Sequence, residues 1–487
     1  MNLSLRLQFL LVILAFVATP ARAADAPPNI VYILADDMGV GDVACLNPQA
    51  QVKTPHLDRL AAQGMRFTDA HSASAVCTPT RYGILTGRYP WRTRLKKGVL
   101  GGFSPPLIEE GRLTVPGLLK QHGYRTAAMG KWHLGMDWPG AEKSDAIKAV
   151  ERVDYTKPIG RGPTAVGFDH FYGIAASLDM PPYVWIENDR TVGLPTATKK
   201  WIREGPAHPD FEAVDVLPTL AKRAAKYVAE SAERKAPFFL YMPLASPHTP
   251  ILPGAAFKGK SGVSDYLDFV METDWAVGQV MEAIDKAGVA DNTLVIFTAD
   301  NGCSPAAGIP KLTAAGHDPS AGRRGTKADL FEGGHRVPFI ARWPAKVKAG
   351  ATCDDVICLN DLMATAAETV GAKLPADAGE DSVSILPDLL GAAKGPVREA
   401  IVHASIDGSL SIRQGRWKLL RAPGSGGWSA PKGPKEVAGL PKVQLYDLQA
   451  DPAETMNVHL EHSEVVDRLG ALLATYEKSG RSTPVAR

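Results

Sequence analysis

Four apolar runs along the chain are each followed within a few residues by polar side chains. The runs are Asn29–Ala35, Thr126–Gly130, Pro237–Met242 and Thr293–Thr298. Continuous apolar runs of this length are typical of strands buried on both faces of a parallel sheet. The stretches between them carry helical periodicity, most clearly in Thr54–Gln63 and Leu217–Lys235. The pattern therefore predicts an α/β domain.

The polar residues that follow these runs are types that bind metals, anions or protons. They are Asp36-Asp37, Lys131 with His133, His248, and Asp300-Asn301. In open α/β sheets, ligands bind beyond the carboxyl ends of the strands. We therefore expect these four groups to form one shared site.

The rest of the chain divides by its pattern. Residues 137–215 are rich in Pro, Gly and charge, and we interpret them as long loops on the side of the site. After Lys394-Gly395-Pro396 the pattern changes to short antiparallel strands and a closing helix. These elements are predicted at Ala400–His403, Ser409–Ile412, Trp417–Leu420 and Ser463–Lys478.

The predicted fold class is α/β, with a large mixed, mostly parallel sheet flanked by helices and a smaller C-terminal antiparallel-sheet subdomain. The predicted units are a signal peptide (1–23), a catalytic domain (24–395) and an α+β subdomain (396–487).

The N-terminus has the features of a signal peptide. Arg6 precedes the apolar run Phe9–Ala18, and Ala21-Arg22-Ala23 places small residues at a cleavage site. The run is shorter than the roughly 20 residues of a membrane span. We expect an exported protein, periplasmic or secreted, with no membrane span. The formal net charge of +2 disappears when Arg6 and Arg22 leave, so nothing in the charge suggests nucleic-acid binding.

Five cysteines are present: Cys45, Cys77, Cys303, Cys353 and Cys358. An odd number leaves at least one thiol unpaired. Cys353 and Cys358 are close enough in sequence to pair, which the sequence leaves open. Cys77 differs from the others because it begins the pattern C-x-P-x-R, ending at Arg81, with Leu85-Thr86-Gly87-Arg88 soon after.

A hard metal ion suits the acidic residues of the expected site. Asp36, Asp37, Asp300 and Asn301 offer carboxylate and amide oxygens, the ligands that Ca²⁺ and Mg²⁺ prefer. Taken alone, each pair is equally explained as a helix cap or turn. Together with the Cys77 pattern, they favour one divalent cation, Ca²⁺ or Mg²⁺.

An ordered series of further motifs extends over nearly the whole mature chain. It consists of Ala35–Gly39, Thr54–Asp58, the Cys77 pattern, Gly130–Gly135, Ser246–Pro250, Asp300–Gly302, Arg324–Lys327, Glu332–Pro338 and Gln444–Leu448 with Asp451-Pro452. This series resembles the type I, formylglycine-dependent sulfatases of the alkaline phosphatase superfamily. The pattern is most similar to the arylsulfatase and N-acetylgalactosamine-6-sulfatase-like branch.

The resemblance implies a role for each matching residue. A formylglycine-generating maturation enzyme would oxidise Cys77 to formylglycine, which would bind the cation together with Asp36, Asp37, Asp300 and Asn301. The remaining roles are sulfate and proton handling: Arg81 holds the formylglycine, Lys131 and Lys327 contact sulfate oxygens, and His133 and His248 move protons. The chain departs from the family pattern at Thr80, where Ser is more usual, and at His335, where Ile is common.

This residue set explains sulfate ester hydrolysis. Hydrated formylglycine is a geminal diol, so one oxygen attacks sulfur and the alcohol leaves. Deprotonation of the second hydroxyl re-forms the aldehyde and releases sulfate. We assign His133 as the base of that second step and His248 as the acid that protonates the alcohol, with sulfate contact shared by Lys327.

We expect the substrate to be a sulfated carbohydrate, with aryl sulfates as surrogates. His317, Asp318 and Arg323-Arg324 precede Lys327 and are candidates for contacting the sugar, as are Asp179, Trp185 and Trp201 in the middle segment. Two alternatives remain open. One is a phosphatase or phosphodiesterase of the same superfamily, and the other is a catalytically silent sugar-binding protein. The sulfate position, exo or endo action and the oligomeric state are not determined by the sequence.

Overall fold

A ten-stranded sheet forms the centre of the molecule. The computed structural model describes residues 26–141, 152–234 and 236–484. The predicted signal peptide, residues 1–23, lies outside the described residues. The strands, numbered along the chain, are β1 Asn29–Ala35, β2 Met65–Phe67, β3 Ala70–His71, β4 Arg125–Lys131, β5 His170–Ile174, β6 Ile186–Glu187, β7 Arg190–Thr191, β8 Ala197–Lys200, β9 Glu204–Ala207, β10 Phe238–Pro243, β11 Thr293–Ala299, β12 Phe339–Arg342, β13 Ala351–Cys353, β14 Ile357–Cys358, β15 Ile401–Ala404, β16 Leu410–Gln414, β17 Trp417–Leu420 and β18 Gln444–Asp447.

The strand order of this main sheet is β13-β2-β12-β11-β1-β10-β4-β5-β6-β7. The five strands from β11 to β5 run parallel, while β12 is antiparallel to both of its neighbours. β1, β10 and β11 are buried along almost their whole length, as expected for strands covered on both faces. The four strands predicted from the apolar runs are confirmed and lie side by side.

Helices flank the central sheet and the C-terminal part of the molecule. They are α1 Pro55–Ala62, α2 Cys77–Thr86, α3 Val115–Gln121, α4 Val216–Ala232, α5 Asp265–Lys286, α6 Ile309–Ala314, α7 Glu332–His335, α8 Leu362–Thr369, α9 Leu386–Leu389, α10 Gly433–Glu436 and α11 Ser463–Ser479. Local chemistry sets several of their ends. Ser264 caps α5 by accepting the backbone N–H of Leu267 at 3.2 Å, and Gly87 ends α2 in a left-handed conformation with φ of 66°.

A separate antiparallel sheet, β15-β16-β17-β18, forms the C-terminal part of the molecule. Helix α11 packs against β16 and β17, and its buried Leu469 and Leu473 share an apolar cluster with Ala73 and Tyr89 of the main domain. The predicted fold class is therefore confirmed. The boundary between residues 395 and 396 stays a prediction.

Two expectations about local structure change. Residues 137–215 are not only loops, because β5, β6 and β7 within them extend the main sheet and β8 pairs with β9. All five cysteines lie in the described part of the chain and all are free thiols, so Cys353 and Cys358 are not paired. Within the same ranges, every helix is too short or too polar to cross a bilayer.

Candidate active site

Four adjacent parallel strands deliver the site residues to one edge of the main sheet. Asp36-Asp37 follow β1, His248 follows β10, Lys131 ends β4, and Asp300-Asn301 follow β11. Since the strand order is β11-β1-β10-β4, these residues meet as the sequence predicts. The local backbone turns sharply at two of them, with positive φ of 63° at Asp37 and 56° at His133.

Cys77 is the first residue of helix α2, and its side chain is buried. The N-terminus of a helix favours negative charge, because unpaired backbone N–H groups point out of it. The ligand atoms of Cys77, Asp36 and Asp300 lie within 4.8 Å of one another. Burial raises the pKa of the Cys77 thiol, so the unmodified side chain is a poor nucleophile at neutral pH.

Arg81, one turn further along α2, is fully buried and neutralises this acidic cluster. Its Nε and Nη2 donate to Asp300 Oδ2 at 3.0 and 2.8 Å, and Nη2 also donates to Asp36 Oδ2 at 3.2 Å. Its Nη1 donates to the carbonyl of Lys131 at 2.8 Å. The guanidinium therefore fixes the ends of β1, β4 and β11 relative to the start of α2.

Two lysines bring further positive charge to the same carboxylates. Lys131 Nζ donates to Asp36 Oδ2, and Lys327 Nζ pairs with Asp37 Oδ1. Burial opposes ionisation of Asp36, but Lys131 and the other nearby cations outweigh it and hold the pKa of Asp36 well below its usual range. Burial alone would lower the pKa of Lys327, and the Asp37 carboxylate raises it instead.

The donor set fits a hard cation. Asp36 Oδ1 and Asn301 Oδ1 are buried and have no hydrogen-bond partner among the described residues. Asn301 Nδ2 donates to Asp37 Oδ1 at 2.8 Å, which turns its carbonyl oxygen away from that carboxylate. Burial and the charge of Asp36 raise the pKa of Asp300. Buried oxygens without partners and a crowded pair of carboxylates are what a divalent ion with oxygen ligands would satisfy.

The two histidines have defined and different hydrogen bonds. His133 Nε2 lies 2.7 Å from the carbonyl oxygen of Leu100, so Nε2 carries the proton, while its buried Nδ1 has no partner within the described ranges. Burial lowers the pKa of His133 well below its usual value. His248 Nδ1 lies 2.6 Å from the Thr249 carbonyl, and its Nε2 lies 3.6 Å from Asp37 Oδ2. Each ring therefore has one nitrogen available for chemistry.

A cavity of about 430 Å³ opens onto this cluster. Asp37, Cys77, His248 and Lys327 line it, so the structure brings these predicted residues to a solvent-accessible surface. It is also lined by Ser177, Asp179, Arg203, Ile406 and Trp428. Of these, only Asp179 was a candidate from sequence. Arg203 and Trp428 come from segments with no motif, and only the tertiary fold reveals them.

The structure corrects the predicted sugar contacts near residue 317. His317 is fully buried, with Nε2 donating to Asp42 at 2.8 Å and Nδ1 accepting the Gln51 N–H at 3.1 Å. Asp318 is exposed and accepts the N–H groups of Ser320 and Gly322 in its own turn. Neither residue lines the cavity. The structure therefore does not bring His317 and Asp318 to the cavity, both residues stabilise loops, and their role in substrate binding stays a prediction.

Four other candidates also have structural contacts in place of sugar contacts. Arg323 donates to the carbonyl of Ala321, and Arg324 binds the Glu454 carbonyl at 2.8 Å and stacks on Phe331. Trp185 stacks on Tyr172, and Trp201 packs edge-on against Tyr183. These four side chains do not line the cavity.

Comparison with known proteins identifies the family. The sequence model of the family described as Sulfatase matches residues 28–372. An N-acetylgalactosamine-6-O-sulfatase from Bacteroides thetaiotaomicron is 34% identical over 92% of this chain and 92% of its own length. Arylsulfatase A from Bos taurus is 33% identical over 90% of this chain and 84% of its own. A solved structure from a description of glycosaminoglycan metabolism by Bacteroides thetaiotaomicron has 33% identity and a TM-score of 0.81, covering 93% of this chain and 99% of that chain.

The carboxyl edge of this α/β sheet carries carboxylates and lysines, and Arg81 in the first turns of α2 joins them. Such an arrangement suits a hydrolase of anionic esters. With the family match over residues 28–372, the chain belongs to the sulfatase family, within the alkaline phosphatase superfamily, and is a sulfuric ester hydrolase.

Proposed function

We propose that this sulfatase hydrolyses the sulfate monoester of a carbohydrate, using a formylglycine made from Cys77 and one divalent cation, Ca²⁺ or Mg²⁺. The observation that carries the proposal is the position of Cys77 at the N-terminus of α2, within 4.8 Å of Asp36 and Asp300. A carbohydrate substrate is supported by a relative named N-acetylgalactosamine-6-O-sulfatase that aligns over 92% of the chain. Aryl sulfates would serve as surrogates.

Asp36, Asp37, Asp300 and Asn301 would hold the cation together with residue 77. When bound, the cation would offset the negative charge of the sulfate group and lower the pKa of a hydroxyl that contacts it. Formylglycine, in its hydrated form, would supply an oxygen nucleophile at residue 77.

The cationic side chains stabilise the charge of the sulfate group. Lys327 lines the cavity, and Lys131 is buried behind it against Asp36. Negative charge grows on the leaving oxygen during hydrolysis, and fixed cations in a buried site stabilise it without reorganising. Arg81 orients the start of α2 through its bonds to Asp300 and to the Lys131 carbonyl.

The two histidines move protons at identified atoms. His133 Nδ1 is unprotonated because its Nε2–H is donated to the Leu100 carbonyl, so Nδ1 accepts the proton when residue 77 releases sulfate. His248 lines the cavity with Nδ1–H bound to the Thr249 carbonyl, which leaves Nε2 for the leaving alcohol. As the imidazolium, which the Asp37 carboxylate 3.6 Å away stabilises, His248 gives its Nε2 proton to the alcohol and becomes the neutral Nδ1–H form. Backbone contacts set the orientation of both rings.

The proposal includes export before function. Residues 1–23 have the pattern of a cleaved signal peptide, and we propose that the mature protein is periplasmic or secreted. It also requires a maturation enzyme that recognises the Cys77–Arg81 pattern in the host. Thr78, within this pattern, donates to the His133 carbonyl at 3.0 Å, so the pattern is engaged in contacts of the folded protein. A maturation enzyme would therefore reach Cys77 more easily before folding is complete.

Two measurements test the function. Mass spectrometry of the peptide containing residue 77 first establishes the fraction present as formylglycine. Release of sulfate is then measured from galactose, N-acetylgalactosamine and glucosamine sulfates and an aryl sulfate, and release of phosphate from the matching aryl phosphate. We expect fast release from one sugar sulfate. Hydrolysis of the phosphate alone would support the phosphatase alternative, and an inactive protein with formylglycine in place would support the sugar-binding one.

A further inference from the structure

The cavity above the site has charged and apolar parts that the hydrolysis of sulfate does not use. Asp179 and Arg203 supply the charges, and Trp428 with Ile406 and Met180 supplies apolar surface. These residues come from the middle segment and from the C-terminal subdomain. A cavity with apolar walls and a few convergent polar groups is typical of a small-molecule site, and its volume of about 430 Å³ is within the range of such sites.

Asp179 and Arg203 form a hydrogen-bonding pair at the cavity wall. Asp179 is 6% exposed; one carboxylate oxygen accepts the Ser177 hydroxyl and the other accepts Arg203 Nη1. Burial alone would raise the pKa of Asp179. The positive charges of nearby side chains, His248 first, and the hydrogen bond from Ser177 lower the pKa instead, so the group is an anion. A carboxylate has about four acceptor positions and a guanidinium five N–H donors, so both groups retain capacity for sugar hydroxyls.

Trp428 offers a flat apolar surface that is held in place. Its side chain is 40% exposed. Its backbone N–H donates to Asp329 Oδ1 at 2.7 Å, and the neighbouring Ser429 donates to Asp329 through both its N–H and its hydroxyl. Lys432 Nζ binds the Trp428 carbonyl at 2.7 Å. These bonds fix the backbone that carries Trp428 at the cavity wall, as a stacking platform requires.

The pairing of these features selects one class of substrate. A steroid or simple aryl group has no hydroxyls for the hydrogen-bonding positions that Asp179 and the partly exposed Arg203 retain, and it would displace water from them without replacing its hydrogen bonds, which is unfavourable. A pyranose ring has an apolar C–H face for the tryptophan and hydroxyls for the pair. We infer that this cavity is a pyranose subsite, in which Trp428 stacks on the sugar and the Asp179–Arg203 pair binds its hydroxyl groups. The inference rests on the proposed carbohydrate sulfatase function.

The test compares a sugar sulfate with an aryl sulfate in matched variants. The probes are N-acetylgalactosamine-6-sulfate and 4-nitrophenyl sulfate, and the variants are Trp428→Ala, Trp428→Phe and Asp179→Asn. Leu440→Ala is the control, because Leu440 is also 40% exposed, lies in the same subdomain and does not line the cavity. Each preparation is first checked for equal formylglycine content and thermal stability.

In Trp428→Ala and Asp179→Asn, we expect kcat/KM for the sugar sulfate to fall by about tenfold or more beyond any fall in kcat/KM for the aryl sulfate. A tenfold change corresponds to about 1.4 kcal/mol, which is the size of a single good contact. Trp428→Phe should restore most of the loss, and Leu440→Ala should show none. Equal losses on both probes, or no loss on the sugar sulfate, would overturn the inference. If the wild type cleaves the aryl sulfate and no sugar sulfate, the subsite fails while the sulfatase stands; if it cleaves only the aryl phosphate, the proposed function itself fails.

Discussion

Three buried histidines predict how the stability of the fold depends on pH. His71, His335 and His403 are fully buried between the main domain and the C-terminal sheet. The Nδ1 atoms of His71 and His335 lie 3.0 Å apart, and the rings of His335 and His403 stack with centroids 3.7 Å apart. Burial lowers the pKa of all three side chains.

The magnitude follows from proton linkage. The folded state keeps these side chains neutral, while the unfolded chain binds protons with a pKa of about 6.5, so stability falls as pH falls below that value. Between about pH 7.5 and about pH 5.5, a histidine that stays neutral in the folded state costs about 1.4 kcal/mol of unfolding free energy. His335 and His403, whose pKa values burial lowers well below the usual value, would together cost about 3 kcal/mol. Glu454 acts in the opposite sense, because burial raises its pKa and the folded state takes up its proton in this range.

The variant His403→Phe isolates the contribution of one histidine to the pH dependence of stability. His403 Nδ1 binds only the Ser411 hydroxyl, at 3.2 Å, and its buried Nε2 has no partner in the part of the chain that the structure describes. Phenylalanine keeps the stacking on His335 and cannot be protonated. We expect the pH-dependent loss of stability to shrink by about 1.4 kcal/mol relative to wild type between about pH 7.5 and about pH 5.5, while the Glu454 contribution cancels.

Urea unfolding at both pH values measures this difference. The control is His122→Phe, which replaces an exposed histidine outside the buried cluster and measures what a His-to-Phe change does by itself. If His403→Phe loses stability in parallel with wild type as the pH falls, His403 is not held neutral by the fold and the reasoning is refuted.

The remaining predictions concern the site. Cys77→Ala should lower kcat for sulfate release by about 1,000-fold or more without altering the unfolding midpoint, and substantial residual activity would falsify the nucleophile assignment. Cys77→Ser should become sulfated at most once, so repeated turnover measured by sulfate release would exclude a need for the second hydroxyl. Asn301→Ala should weaken Ca²⁺ binding to EDTA-treated protein by about tenfold or more in calorimetric titration, and unchanged affinity would remove Asn301 from the ligand set. His317→Asn should destabilise the fold by about 1–3 kcal/mol, because it disturbs a buried bond to Asp42, while KM for sulfated substrates stays the same; a large KM increase would restore His317 as a substrate contact.

The central strands were predictable because burial on both faces demands long apolar runs. β1 begins and ends at the residues expected, Asn29 and Ala35, and the polar groups after the strands meet because parallel strands share an edge. The motifs then predicted Cys77 as the nucleophile position. Only the family resemblance supplied the oxidation of this residue, since nothing in an unmodified thiol indicates it.

The rest depended on tertiary contacts. β6 and β7 are two residues each and exist because β5 offers them a sheet edge, which no local periodicity records. Arg203 and Trp428 reach one cavity from segments far apart in sequence. His317 is near Lys327 along the chain, yet the two side chains have different partners, with the turn through Gly325, φ of 86°, between them.

The loop that carries Lys327 connects catalysis to the C-terminal subdomain. Lys327 reaches the site carboxylate Asp37, and two residues later the buried Asp329 holds the loop of Trp428. The same stretch is bound again through the Leu330 N–H to the Ser425 carbonyl at 2.8 Å and the Ile406 N–H to the Ala328 carbonyl at 3.1 Å. A displacement of the subdomain would therefore move the lysine and the tryptophan platform together. Because the wall of the cavity and the position of Lys327 both depend on these bonds, the C-terminal subdomain contributes directly to the site and is not an appended module.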